Sequence, residues 1–164
     1  MKSSLLFVFL LPCTASCSQP EGRWQSAVVS QQGELPCFGI PDRSDVRAKP
    51  LDMRFVSVGQ QGDGDSGDGW ELNFTGQSPP VLLLPTACFR YGANLGQDVG
   101  ATAPALVPGR LYEVSMMGDV LDDPISTSRN YDAWFCLARS RDGRLTVHQV
   151  AHEKREHFEE VCPP

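Results

Sequence analysis

The sequence predicts an all-β sandwich, and two observations predict it. Apolar residues take every second position along several short segments, as Trp70, Leu72 and Phe74 do in one and Tyr112 and Val114 in another. This alternation is typical of strands that bury one face. Gly, Pro, Asp and Asn residues separate the segments, and about seven to nine short strands joined by turns favour two packed sheets.

The predicted strands follow one another with short connections. In chain order they are Trp24–Val29, Glu34–Ile40, Met53–Val58, Trp70–Thr75, Val81–Leu84, Ala87–Tyr91, Tyr112–Met117, Tyr131–Ala138 and Leu145–Val150. Tyr131–Ala138 is apolar on both faces, which predicts a central strand. Asp142-Gly143 has the composition of a hairpin turn between the last two strands. Ala151–Glu160 is the only helix-like stretch, and we expect one or two helical turns or a solvated tail there.

Residues 1–16 have the organisation of a secretory signal. Lys2 gives a positive start, Leu5–Leu11 is almost wholly apolar, and small residues follow as far as Ser16. The apolar run is too short for a permanent transmembrane helix, which takes about 20 residues. We therefore expect a short signal helix at the N-terminus and export of the chain.

Ala15-Ser16-Cys17 resembles the lipobox of bacterial lipoproteins, in which the cysteine becomes the acylated N-terminus of the mature protein. The resemblance implies that Cys17 carries the lipid. Several acyl chains on one cysteine bind a membrane firmly, since each buried methylene contributes about 0.8 kcal/mol. Thr14 stands where that family usually has Leu. The alternative is therefore cleavage by the ordinary signal peptidase, which would leave a soluble secreted protein.

The lipobox implies a simple organisation of the chain. Residues 1–16 would be the signal peptide, residues 17–23 a lipidated tether, and residues 24–164 a single β-sandwich domain. Ser18 follows the cysteine in place of Asp, and in bacterial lipoproteins this implies transport to the outer membrane. The expected location is thus the periplasm, with the protein attached to a membrane through its lipid.

Four of the six cysteines remain once Cys13 leaves with the signal and Cys17 is acylated. They are Cys37, Cys88, Cys136 and Cys162. An even number in an oxidising compartment predicts two disulfides, for which three pairings are possible. We favour Cys37 with Cys88, because each begins a Cys-Phe strand segment, and Cys136 with Cys162, which would attach the charged tail to the domain. No Cys-x-x-Cys or Cys-x-x-His pair favours a metal site instead.

Charge and motif content argue against several functions. Loss of residues 1–16 removes one basic residue and no acidic one, so the formal charge of −6 becomes −7, which disfavours nucleic acid as a partner. The sequence has no Gly-x-Ser-x-Gly elbow, no Walker loop and no dinucleotide-binding glycine turn between a strand and a helix. His152 and His157 are one residue too far apart for a His-Glu-x-x-His zinc helix. We expect no enzyme activity, no cofactor and no metal.

Two acidic loops are candidate partner-binding elements. They contain Asp63, Asp65 and Asp68 in the first loop and Asp119, Asp122 and Asp123 in the second. Alternating aspartates suit calcium, but positions five and twelve of such a loop would be Gly67 and Phe74, which do not supply the expected ligands. The loops are therefore interpreted as flexible acidic connections or as parts of a binding surface.

Residues 106–114 have the sequence Leu-Val-Pro-Gly-Arg-Leu-Tyr-Glu-Val. This segment resembles the Leu-x-Pro-Gly-x-x-Tyr-x-Val corner of fibronectin type III and related immunoglobulin-like domains, with Pro108, Gly109 and Tyr112 at the characteristic positions. The resemblance implies an immunoglobulin-like sandwich. The hydroxyl of Tyr112 would then bond to backbone a few residues upstream, while its ring fills the core.

Short motifs along most of the mature chain resemble a family of type VI secretion immunity lipoproteins of the bacterial periplasm. They are the lipobox-like Cys17, Gly33-Glu34-Leu35-Pro36-Cys37-Phe38 with Ile40-Pro41, Leu84-Pro85 before Cys88-Phe89-x-Tyr91-Gly92, the Pro108-Gly109 corner with Tyr112, and Phe135-Cys136-Leu137. The resemblance implies a protein that binds and neutralises an effector toxin delivered into the periplasm, through a protein–protein interface. The alternative is an envelope binding or assembly lipoprotein, such as an adhesin-like or carbohydrate-binding sandwich, since this fold class hosts either function.

Overall fold

The computed structural model describes residues 24–47, 49–61, 69–74, 76, 79–95, 102–121 and 128–163. The predicted signal helix, Cys17 and the tether lie outside the described residues. The fold is all-β, as the alternation predicts, with two sheets and short helical segments.

Among the described residues, ten strands form the two sheets. They are β1 (Trp24–Ser26), β2 (Val28–Gln32), β3 (Leu35–Gly39), β4 (Leu51–Gln60), β5 (Trp70–Asn73), β6 (Leu82–Leu83), β7 (Cys88–Arg90), β8 (Leu111–Val120), β9 (Ser128–Arg139) and β10 (Leu145–Val150). A short helix, α1 (Ser44–Arg47), precedes β4, and a 3₁₀ helix, His152–Glu160, follows β10. No pattern in the sequence predicted α1.

The larger sheet has seven strands in the order β1-β9-β8-β4-β5, with β10 also paired to β9 and β6 to β4. The smaller sheet has the order β2-β3-β7. All pairs are antiparallel except β1 with β9, which is parallel. Strand β9 has β8 on one side and both β1 and β10 on the other, so the predicted central strand is confirmed.

The core lies between the two sheets. Phe38 of the smaller sheet and Phe135 of the larger are both fully buried, with ring centroids 5.3 Å apart. Phe89 of the smaller sheet stacks on Phe74, which directly follows β5, also at 5.3 Å. Burial of each such ring contributes roughly 1.5–3 kcal/mol. These contacts hold the two sheets face to face.

The predicted first strand, Trp24–Val29, is wrong as a single element. The chain forms β1 in the larger sheet and β2 in the smaller one, and it passes between them at Ala27. Ala27 is buried, and its N–H donates to the carbonyl of Asp132 at 3.0 Å. The alternation of side chains continues across this crossing, so the sequence pattern alone does not reveal that the strand changes sheets.

Two glutamines connect the sheets along one edge, where β2 runs beside β10. The side-chain amide of Gln31 donates to the carbonyl of Leu145 at 2.9 Å. The side-chain amide of Gln149 donates a hydrogen bond to the carbonyl of Ala27 and accepts one from the N–H of Val29, both at 2.9 Å. The glutamines thus satisfy backbone groups that an edge strand otherwise leaves open to pairing with another chain.

Both of the favoured disulfides are present. Cys37–Cys88 connects β3 to β7 in the smaller sheet. Cys136–Cys162 connects the middle of β9 to the residues after the 3₁₀ helix, and both of its cysteines are fully buried. The C-terminal tail is therefore fixed to the larger sheet, as we expected of this pair.

The helix-like stretch near the C-terminus is a 3₁₀ helix with a kink at His157, and none of its residues is fully buried. In the part of the chain that the structure describes, no helix is both long and apolar enough to cross a membrane.

Candidate functional site

The larger sheet turns one face to the core, and we call the opposite face the open face. Strand pairing places five polar side chains in one row across it: Ser26, Asp132, Ser115, Ser57 and Glu71. Residues directly opposite on neighbouring strands share a face of the sheet. The row crosses five strands, and no described element packs over its centre.

The C-terminal tail covers one end of this face. Cys162 and the partly buried Phe158 pack there against Leu111, Cys136 and Val150, in a cluster separate from the main core. The tail therefore forms a wall beside the polar row, and the second disulfide fixes its position.

A groove lies in the middle of the open face, beside this wall. Its volume is about 230 Å³, and we call it the serine groove. Its lining residues are Ser57, Gly59, Gln60, Gln61, Glu113 and Ser115. Two serines and a glycine line the groove, where larger side chains would fill the surface of β4 and β8.

Glu113 is the charged residue of the serine groove. Partial burial raises the pKa of its carboxyl, the nearby charge of Asp132 raises it further, and Arg155 opposes both effects. Glu113 pairs with Trp134, two residues along β9 from Asp132, so the two carboxylates are diagonal neighbours. With the other described residues, neither carboxylate forms a hydrogen bond or an ion pair within 4 Å.

Arg155 lies over the aromatic ring of Trp134 and outside the groove. Its guanidinium carbon is 5.7 Å from the centroid of the indole, within the range of a cation–π interaction. His152 contacts the same indole edge-on at 5.0 Å. Trp134 is therefore packed against the tail, on the open face of the sheet.

A second, larger cleft adjoins the groove at Gln61. Its volume is about 900 Å³, and it lies between the segment before β8 and the 3₁₀ helix. Its lining residues are Gln61, Val107, Pro108, Gly109, Arg110, Leu111, Arg155, Glu156, Phe158 and Glu159. The linings of the two cavities share Gln61.

The predicted Tyr112 corner forms the floor of this region. The hydroxyl of Tyr112 accepts a hydrogen bond from the N–H of Val107 at 2.8 Å, and its ring stacks on Phe135 at 5.5 Å. Pro108 and Gly109 make the turn between Val107 and Tyr112. Gly109 has a φ of 72°, which residues with a side chain adopt only at a cost in energy. This corner fixes where β8 begins, and so where Glu113 lies.

The other end of the open face carries a partly apolar row. Strand pairing aligns Trp24, Asn130, Met117, Phe55 and Asn73. Trp24 is 71% exposed and Phe55 is half-buried. These two aromatic residues are three strand spacings apart, or about 14 Å. Trp70, by contrast, is buried in the core.

Asp119 does not lie in an acidic loop, so that prediction is wrong for this residue. It belongs to β8, where it accepts hydrogen bonds from Ser128 and from the guanidinium of Arg54, the latter at 2.6 Å. The hydrogen bond from Ser128 is the largest cause that lowers the pKa of Asp119, and Arg54 adds to it. Asp119 thus connects three strands of the larger sheet.

The other predicted loop aspartates, Asp63, Asp65, Asp68, Asp122 and Asp123, lie outside the described residues. Within the ranges that the structure covers, no three His, Cys, Asp or Glu side chains are grouped as metal ligands would be.

Reasoning from the sequence missed Glu113 and the serine groove. The alternation already placed Glu113 and Ser115 on one face of a strand. It did not show that Asp132 and Ser57, on other strands, lie beside them. Comparison of the chain with protein-family models, with curated proteins and with solved structures found no match.

Proposed function

We propose that this protein is a periplasmic immunity lipoprotein, which binds and neutralises a type VI secretion effector toxin through the open face. The observation that carries the proposal is the serine groove with its two neighbouring carboxylates, which have no cation paired with them among the described residues. Such a surface can be complementary to a protein partner in both shape and charge. Neutralisation by binding requires no catalytic residue.

The scaffold suits a tight protein complex. A continuous aromatic core holds the two sheets together, one disulfide connects two strands of the smaller sheet, and the other fixes the tail to the larger sheet, so little ordering is needed when a partner binds. A stable interface buries about 800 Å² on each partner, an area that a five-stranded sheet face and its rim can provide. The formal charge of −6 favours encounter with a basic effector.

We further propose that the sandwich is of the immunoglobulin or fibronectin type III kind. The local support is the Pro108-Gly109 turn and the hydrogen bond between Tyr112 and Val107, which match the corner of those domains. Ten strands and the parallel pairing of β1 exceed the seven antiparallel strands of the simplest members.

The proposed location is the periplasm, with the domain attached to the outer membrane through Cys17. The lipobox-like Ala15-Ser16-Cys17 and the signal-like residues before it support this location. Replacement of Cys17 by Ser should move the protein from the membrane to the soluble fraction. Unchanged membrane partitioning would contradict the lipid anchor.

The function is tested by expressing the effector encoded next to this protein's gene, directed to the periplasm, with and without this protein. The proposal predicts growth arrest with the effector alone and growth when both are present. Growth arrest that persists despite normal amounts of both proteins would rule out immunity against that effector.

An envelope binding lipoprotein that recognises carbohydrate is the second candidate, and the apolar row favours it. Aromatic rings on a sheet face, such as the exposed Trp24 and the half-buried Phe55, can stack on sugar rings. Binding of the protein to purified cell-wall polysaccharide, lost in Trp24→Ala but not in Glu113→Gln, would favour this candidate over the toxin interface.

A further inference from the structure

The chemistry of the serine groove indicates what part of a partner it receives. We infer that it binds an arginine or lysine side chain of the effector, with the cation against Glu113 in the groove and near Asp132, which lies outside the lining. This inference rests on the proposed function for the identity of the partner, but the chemistry of the groove can be tested without it.

The size of the groove favours a single side chain. At about 230 Å³, it is smaller than the sites of drug-sized ligands, which occupy roughly 300–1,000 Å³. It is open to the sheet surface, and its lining shares Gln61 with that of the larger cleft. A side chain can therefore enter the groove from the surface.

The lining of the groove can accept several hydrogen bonds. The hydroxyls of Ser57 and Ser115 and the carboxylate of Glu113 provide oxygen acceptors around one space. A guanidinium has five N–H donors in a fixed plane, and an ammonium has three. Hydrogen bonds between such cations and a carboxylate are about twice as strong as neutral ones.

The charges around the groove are only partly balanced by the protein itself. Burial raises the pKa of Glu113 and the charge of Asp132 raises it further, and a bound cation would relieve the repulsion between the two carboxylates. Arg155 is the nearby cation, but it stacks on Trp134 and forms no ion pair within 4 Å with either carboxylate. The groove thus keeps a local negative charge.

Two measurements on the mature protein test the inference. The first titrates it with the peptide acetyl-Gly-Arg-Gly-amide and with the matched peptide that has neutral citrulline in place of arginine, followed by NMR. We expect shifts at Ser57, Gly59 and Ser115 with the arginine peptide only. Equal shifts with both peptides, or none with either, would overturn the inference.

The second measurement compares the affinities of Glu113→Gln and Glu34→Gln for the adjacent effector. Both changes remove one negative charge, but Glu34 is exposed in the turn between β2 and β3, on the other sheet. We expect Glu113→Gln to lower the affinity for the effector at least tenfold, or about 1.4 kcal/mol, and Glu34→Gln to lower it less than twofold. Equal affinities would overturn the inference and leave the proposed function intact.

The two failures can be told apart. If the wild-type protein does not bind the effector, the proposed function fails for that pair, and the peptide titration still decides the chemistry of the groove. Thermal unfolding checks that Glu113→Gln is folded. Because burial raises the pKa of Glu113, its neutral amide analogue should be at least as stable as the wild type.

Discussion

The disulfide Cys136–Cys162 should contribute several kcal/mol to stability, and the double variant Cys136→Ala/Cys162→Ala tests this. The bond closes a loop with a sequence separation of 26 residues. Restriction of the unfolded chain by a loop of that length contributes about 3.5 kcal/mol at 25 °C. Both cysteines are also fully buried beside Leu111 and Val150, so the loss of packing adds to this cost.

Urea unfolding measures the change, with Cys37→Ala/Cys88→Ala as the matched control. The control bond spans 51 residues, so its loss should cost about 4 kcal/mol. Only the Cys136/Cys162 variant should also free the tail and expose Trp134 to a fluorescence quencher, since Trp134 packs against that cluster. A loss below about 1 kcal/mol, or equal quenching in both variants, would refute this reasoning.

Three further outcomes test other parts of the structure. The pKa of Asp119 is lower in the folded protein than its value of about 3.9 in the unfolded chain. Asp119 therefore stabilises the fold above the unfolded pKa, and this contribution is lost as the pH falls through the folded pKa. In Asp119→Asn, the free energy of unfolding should fall less steeply as the pH is lowered. Tyr112→Phe removes the hydrogen bond to Val107 and should cost about 1 kcal/mol in urea unfolding, whereas no change would show that water replaces it. Gly143→Ala should cost roughly 1–2 kcal/mol through its φ of 84° alone, because no atom lies within 4 Å of the added Cβ.

Much of the fold follows from local patterns in the sequence. The alternation around Leu72 and Val114 predicted two strands of the larger sheet, and the apolar run around Phe135 predicted the central one. Asp142-Gly143 predicted the last hairpin, in which Gly143 has a positive φ. In each case, residues next to one another in the chain determine the local structure.

The crossing at Ala27 could not be predicted, because it depends on a contact with Asp132, more than one hundred residues away. The site was missed for the same reason. We selected candidate binding residues from groups of aspartates, whereas Glu113 is a single acidic residue between apolar ones in the sequence. Its environment arises only when strand pairing places it beside Trp134 and near Asp132.

The affinity of the Ser115→Arg variant for the adjacent effector tests most directly whether the open face is the binding surface. An arginine at this position on β8 would fill the serine groove and pair with Glu113 and Asp132, so the fold should tolerate it while the groove is blocked. Gln32→Arg is the control, at an exposed position on β2 of the smaller sheet. We predict that the affinity falls at least tenfold, or about 1.4 kcal/mol, for Ser115→Arg and changes little for Gln32→Arg. A folded Ser115→Arg variant that binds the effector as tightly as the wild type would contradict the account.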